Sequence, residues 1–323
     1  MPQSVQNSIF VPHLGKSAFR FSKINMLRVI AILLLVLTTP LGIASQPTQE
    51  GKKLRWKFAV GQKLRVETQS DMTRTTKIKA NVDETKIKTT IELIWEVKAV
   101  DAAGVATIEQ RPERLAITLE HRLDPKYVLD SAILKKNPNL KGADRDAMKL
   151  LMEGHATIKI DSRGVVLEAS LPPDWLEKVK QSPIADLHDQ LLLAATPQLF
   201  PGVQLSLPER EVNEGYEWRV EAPKAEGKPT SPAGEAKFVF RGEKALEGQP
   251  RDQIDVDFKI NGLPEGVTVT SQSNQGQFWF DSTEGRPAML QVKQDWKAEK
   301  HYRDVVILLT TTGSSITTWQ QAK

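Results

Sequence analysis

Beyond residue 53 the chain is written largely in a two-residue period. Ile91, Leu93, Trp95 and Val97 alternate with mostly polar neighbours, the mark of a strand with one buried face. Leu115, Ile117 and Leu119 repeat the pattern after a break near Pro112, and Ile254-Asp-Val-Asp-Phe-Lys-Ile260 carries it without interruption. Shorter runs predict strands at Lys237–Arg241, Gln277–Asp281, Ala288–Trp296 and Val305–Thr311. Asp101-Ala-Ala-Gly104 supplies a turn between two of these runs, with aspartate to bond the backbone and glycine to accept positive φ. The period changes in two places. Residues 131–154 contain Ala143-Asp-Arg-Asp-Ala-Met-Lys-Leu-Leu-Met-Glu153, a stretch of good helix formers stopped by Gly154. Residues 174–195 predict a second helical stretch, restarted at Ser182-Pro183 and ended by Pro197 and Pro201.

Two segments recur in the same order. Gly61-Gln-Lys-Leu-Arg-Val-Glu67 matches Gly215-Tyr-Glu-Trp-Arg-Val-Glu221. Ile158-Lys-Ile-Asp-Ser162 with Gly164 matches Phe278-Trp-Phe-Asp-Ser282 with Gly285. Two copies are too few for a solenoid and point to a pair of related β-units. The expected organisation is therefore a first β-unit with a helical insertion over 46–170, a helical linker over 171–200, and a second β-unit over 201–323. The fold class expected is mainly β: an antiparallel curved sheet or half-barrel from two related units, with two helical segments packed on it. Residues 46–53 are polar and read as a flexible lead-in.

The Gly-Gln-Lys-Leu-Arg-Val-Glu strand and the later Gly276-Gln-Phe-Trp-Phe-Asp-Ser-Thr-Glu-Gly-Arg286 segment, in a chain that opens like an export signal, resemble an uncharacterised family of secreted β-rich proteins from planctomycete-type bacteria. The resemblance implies export and a β-rich fold. It implies no activity and no catalytic residue.

The export reading rests on residues 1–45. Lys16, Arg20, Lys23 and Arg28 precede the apolar run Val29–Leu37, and small residues follow at Gly42, Ala44 and Ser45. That is the order of a secretory signal. The run is far shorter than the roughly 20 residues a membrane-crossing helix needs. Met26 opens a signal of more ordinary length and is the expected start of translation. Absence of cysteine excludes a lipid-modified N-terminus, disulfides and thiolate chemistry. The expected location is periplasmic or extracellular.

Charge narrows the partners. The net charge of +4 arises from 44 basic and 40 acidic residues, and residues 1–45 hold four of the basic ones and no acidic one. The remainder is neutral, which argues against a nucleic-acid partner.

Candidate chemistry is sparse. Asp186, His188 and Asp189 bring only two carboxylates to one helix face, too few for a metal. Asp255 and Asp257 share a strand face, with Asp252 nearby, and read as the wet side of a half-buried strand. No serine-hydrolase elbow, phosphate loop or zinc motif occurs. No catalytic residue, metal or cofactor is expected. Two groups are candidates for ligand binding. Lys77, Lys79, Lys86 and Lys88 would oppose one another in pairs (Lys77 with Lys88, Lys79 with Lys86) on a hairpin centred near Val82, with Asn81–Glu84 as its loop. Such lysines either protect a sheet edge or dock an anionic envelope polymer or headgroup. Phe278, Trp279 and Phe280 make a strand apolar on both faces, suited to a core or to a greasy groove. The function expected is a non-catalytic envelope or periplasmic protein, a carrier or interaction module for an apolar or anionic envelope ligand or an envelope protein partner. An exported hydrolase and a structural envelope protein are the alternatives.

Overall fold

A computed structural model describes residues 51–121, 126–136, 142–181, 198–200, 203–221, 234–260, 267–302 and 305–322. The alternating runs become long antiparallel strands. The first meander comprises β1 (Lys63–Ile78), β2 (Asn81–Val100), β3 (Ala106–His121), β5 (Ala156–Ile160) and β6 (Val166–Ser170), with β4 (Tyr127–Asp130) paired to β3. The second comprises β9 (Glu217–Glu221), β10 (Gly234–Leu246), β11 (Gln249–Ile260), β12 (Val267–Asp281), β13 (Arg286–Tyr302) and β14 (Val305–Gln321). β14 pairs with β1 along 15 residue pairs. The two halves thus form one open, 12-stranded antiparallel sheet with β6 and β9 as its edges.

One core unites both ends of that sheet. Ile108, Ile158 and Ile160 from one end share it with Phe238, Ile254 and Val256 from the other, so the sheet is strongly curled. A hairpin of β7 (Gln198–Phe200) and β8 (Val203–Gln204) leads into the segment 205–208, whose Leu205 and Leu207 are fully buried in the core between the edges. The Gln204 side-chain amide donates to the Val166 carbonyl and accepts from its N–H, standing in for a neighbouring strand. The Trp218 indole donates to Ser206 O on the other edge, at 2.8 Å.

Of the lead-in expected over 46–53, the described residues 51–53 belong to a segment, 51–58, that is bonded into the fold. Lys52 bridges Val212, Trp56 N–H donates to Ser162 O (2.8 Å) and Lys57 N–H to Gly285 O (2.7 Å). Leu54 and Trp56 enter the core at 0% and 3% exposure. The segment closes one end of the curled sheet, held between the β5–β6 and β12–β13 turns. Leu54, Trp56 and Phe58 alternate with Lys53, Arg55 and Lys57, the same two-residue period as the strands, here used by a segment that crosses the end of the sheet rather than joining it.

The expected break near Pro112 is a β-bulge opposite Glu92 and Leu93 within an unbroken β3. Proline has no N–H for the ladder, and a bulge accommodates it. α2 (Ala143–Glu153) matches the predicted helix. Gly154 ends it in extended conformation, and its lack of a Cβ admits Trp175, whose ring carbon would lie 2.7 Å away. α1 (Ser131–Lys136) precedes α2. α3 covers Pro173–Lys180; most of the remaining second helical stretch lies outside the described residues, and by Gln198 the chain is in strand.

Each recurrent segment occupies the same rung of its meander. Gly61 and Gly215 donate to Val97 O and Phe240 O, both at 2.8 Å, on the next strand. The Asp161 and Asp281 turns each join the fourth and fifth strands of the two meanders, β4 left aside.

Candidate functional site

Strand alternation assigns the inner face. Along β1 the buried Leu64 and Val66 point into the core, so Thr68, Ser70, Met72 and Arg74 follow on the same side. The registers extend each position across the sheet. The rung at Thr68 runs Leu115–Ile91–Thr68–Thr317–Leu290–Phe278–Ile254. The next runs Ile117–Thr89–Ser70–Ser315–Val292–Gly276–Val256, and the one beyond it Leu119–Ile87–Met72–Gly313–Gln294–Asn274–Phe258. A fourth, nearest the far end, runs His121–Thr85–Arg74–Thr311–Trp296–Gln272.

On β11, β12 and β13 these rungs are core, with Val256, Phe258, Phe278 and Val292 buried; on β1, β2, β3 and β14 most of their positions are less completely covered. Thr68, Ser70, Met72, Ile87, Thr89, Ile117, Leu119, Ser315 and Thr317 are only half-buried although they face inward. The central strands present small hydroxyl residues, with Thr68 and Thr317 hydrogen-bonded at 2.9 Å. One flank is apolar. There α2 lays Met148 and Leu151 on Leu115, with Ile91, Ile117 and Leu129 around them. Beside this cluster an apolar cavity of about 60 Å³ is lined by Ile91, Leu93, Pro112, Leu115, Leu151 and Trp175, among others. The Trp175 indole donates to Leu150 O at 2.8 Å and ties α3 to α2. The concave face therefore combines a hydroxyl floor, an apolar wall under two helices and a polar rim. At the rim Thr85 Oγ1 lies 2.9 Å from His121 Nε2, and His121 Nδ1 lies 3.2 Å from Asp83.

The outer face is a wet surface of ion pairs. Glu92 meets Arg65 (2.6 Å) and Arg114 (3.5 Å), and Glu96 meets Lys98 (2.9 Å) and Arg111 (3.1 Å). The Lys98 hydrogen bond holds the Glu96 carboxyl below its usual range, and Glu96 in turn raises Lys98. A larger furrow of about 750 Å³ lies at the seam between β6 and β9, lined by Val166, Gln204, Leu207, Tyr216 and Trp218 among others. Of its three arginines, Arg163 pairs with Glu209 at 2.7 Å and Arg210 with the Tyr216 hydroxyl at 2.7 Å and over its ring, while Arg219 makes no ion pair among the described residues.

The lysine hairpin needs correction. Its turn is Lys79–Ala80, with Ile78 opposite Asn81, so the hairpin is centred three residues before the midpoint of the expected lysine pairs. Lys77 faces Val82, Lys86 faces Thr73, and Lys88 faces Asp71 with an ion pair of 3.1 Å. Lys79 sits in the turn at φ 54°. Like charges are therefore not opposed, and Glu120 lies beside Lys86 in the β2–β3 ladder. Phe278 and Phe280 belong to the core at 2% and 0% exposure, and Trp279 is 8% exposed. None of the three lines the helix-covered cavity or the seam furrow. Asp255 and Asp257 lie on the outer face, Asp255 bonded to Arg241 at 2.7 Å, whereas Asp252 points inward, buried against Lys52 at 2.7 Å. Asp186, His188 and Asp189 lie outside the described residues. Among the described residues no group of three or more potential ligands could hold a metal ion. The hydroxyl floor was invisible to hydrophobic periodicity because its inner positions are threonine and serine.

No family model and no curated protein matches the chain. Among solved structures, it is similar to one titled for lipid–protein interactions in lipovitellin (TM-score 0.47, 11% identity), over 83% of this chain and 26% of the other. The chain thus spans about a quarter of that protein. Weaker likenesses join it to a β-barrel-like protein of unknown function, DUF1849, from Brucella abortus (TM-score 0.22, 9% identity, 84% and 100% of the two chains) and to an S-type phycobiliprotein lyase from Guillardia theta (TM-score 0.20, 10% identity, 82% and 90%). At these values none of them bears on what this chain binds.

Proposed function

We propose that this chain is an exported carrier that holds an apolar ligand against the concave face of its curled sheet. The observation that carries the reading is the half-buried state of inward-facing positions on β1, β2, β3 and β14, among them Thr68, Ser70, Met72, Ile87, Leu119 and Ser315. Natural cores are packed to near-crystalline density, so inward residues left half-exposed line a space rather than a filling. One end is closed by residues 51–58, the seam is filled by 205–208, and an apolar wall stands under α2 and α3. Export is supported by the order of basic, apolar and small residues in 1–45. The two-unit reading is supported by the equivalent rungs of the recurrent segments in the two meanders.

Native mass spectrometry of the chain purified without detergent from its own cells tests the carrier directly. A discrete adduct that is lost on denaturation is expected, on a chain that begins near Gln46. A chain of that mass with no adduct, and no uptake of added apolar probe, would remove the carrier reading.

A further inference from the structure

The polar rim gives the ligand a second chemical requirement. Arg74 lies on the inner face of β1, six residues beyond Thr68, on the rung Thr85–Arg74–Thr311. At about 3.4 Å per residue it stands roughly 20 Å along the strand from the Thr68 rung. It is exposed and forms no ion pair among the described residues. The neighbouring inner-face acid, Asp83, lies 3.2 Å from His121 Nδ1 and makes no ion pair with Arg74. Two rungs further, Lys300 also faces inward, opposite Ile307. On the outer face, by contrast, many cations have a carboxylate partner: Lys88 with Asp71, Lys98 with Glu96 and Glu109, Arg114 with Glu92 and Asp130. An arginine kept without a counter-charge at the mouth of an apolar space is a charge in search of an anion.

We infer that the ligand is an amphiphile: an apolar chain lies along the half-buried Ile87, Ile117 and Leu119, and an anionic head, carboxylate or phosphate, is met at the rim by Arg74. The inference rests on the carrier reading above. Its charge complementarity is that of one cation, with Lys300 behind it, facing a head that emerges from an apolar wall.

Three single-chain probes of equal length separate the possibilities: palmitate, hexadecyl phosphate and hexadecanol, each displacing a fluorescent apolar reporter from the whole chain. The wild-type chain is expected to bind one or both anions about tenfold more tightly than the alcohol. Which anion is preferred identifies the head. Arg74→Gln should bring anion and alcohol to equal affinity without changing that of the alcohol, and Arg74→Lys should retain a preference. Arg74 is exposed, so neither variant threatens folding. Equal wild-type affinities for all three, or an anion preference that survives Arg74→Gln, would overturn the Arg74 assignment while leaving a carrier of neutral ligands. Binding of none of the three would overturn it together with the carrier reading.

Discussion

Gly164 and Gly285 hold the plug in place by what they lack. Both occupy the left-handed region, at φ 85° and 64°, at the ends of the two aspartate turns. Both also touch the plug. An added Cβ at Gly164 would lie 2.6 Å from Trp56 Nε1 and 2.9 Å from Leu205 O, and one at Gly285 would collide with Lys57 Cβ and Cγ. Gly104 ends a similar Asp101 turn at φ 81° with nothing within 4 Å of such an atom. The three positions therefore separate backbone strain from collision. Gly104→Ala should cost about 1 kcal/mol, the penalty of the left-handed conformation. Gly164→Ala and Gly285→Ala should each cost at least about 2 kcal/mol, because plug and turn must also move apart. Urea denaturation of the three variants checks this; equal losses would mean that the plug is not tightly seated.

At the scale of elements, the helical cover is attached to the sheet through Asp130. Its carboxylate receives Arg114 Nη2 at 3.0 Å and the Ala132 N–H at 2.9 Å, joining β3 to the start of α1. The Arg114 hydrogen bond, with help from Ala132, holds its pKa below the usual carboxylate value. A lowered native pKa adds stability that is complete above the unfolded value, near pH 4, and is lost as the pH falls through the native value. Asp130→Asn keeps an oxygen for Ala132 but discards the charge. It should cost about 1 kcal/mol at neutral pH, and the gap from wild type should close below about pH 4. A gap independent of pH would place the contribution elsewhere. Most elements were legible in sequence because a half-buried strand must alternate: Trp95 reached the core as read, and Ala143–Glu153 is a helix. Register was less legible. Thr73, Thr75, Thr76 and Lys77 give no apolar face near the β1–β2 turn, so the turn was placed around Val82 instead of Lys79–Ala80. The floor of the site escaped for the same reason: Thr68, Ser70, Ser315 and Thr317 face inward, where periodicity looks for aliphatic residues.

At the scale of the molecule, 12 strands curl around one core and continue beyond it as a concave surface under two helices. The plug and the seam segment fill the places where the open sheet would otherwise leak solvent into that core. The site belongs to both meanders, because β1 and β14 meet at its floor. In the carrier proposed above, ligand lies on the inner face of those two strands. Ser314 and Ser315 are chemically identical neighbours on β14 that point to opposite faces, Ser314 opposite Asp71 outside and Ser315 opposite Ser70 inside. The decisive measurement is the binding of an apolar fluorescent probe to Ser315→Trp and Ser314→Trp, with circular dichroism to show that each is folded. The account predicts that Ser315→Trp abolishes binding and Ser314→Trp leaves it intact. Undiminished binding to folded Ser315→Trp, or its loss in Ser314→Trp alone, would contradict it.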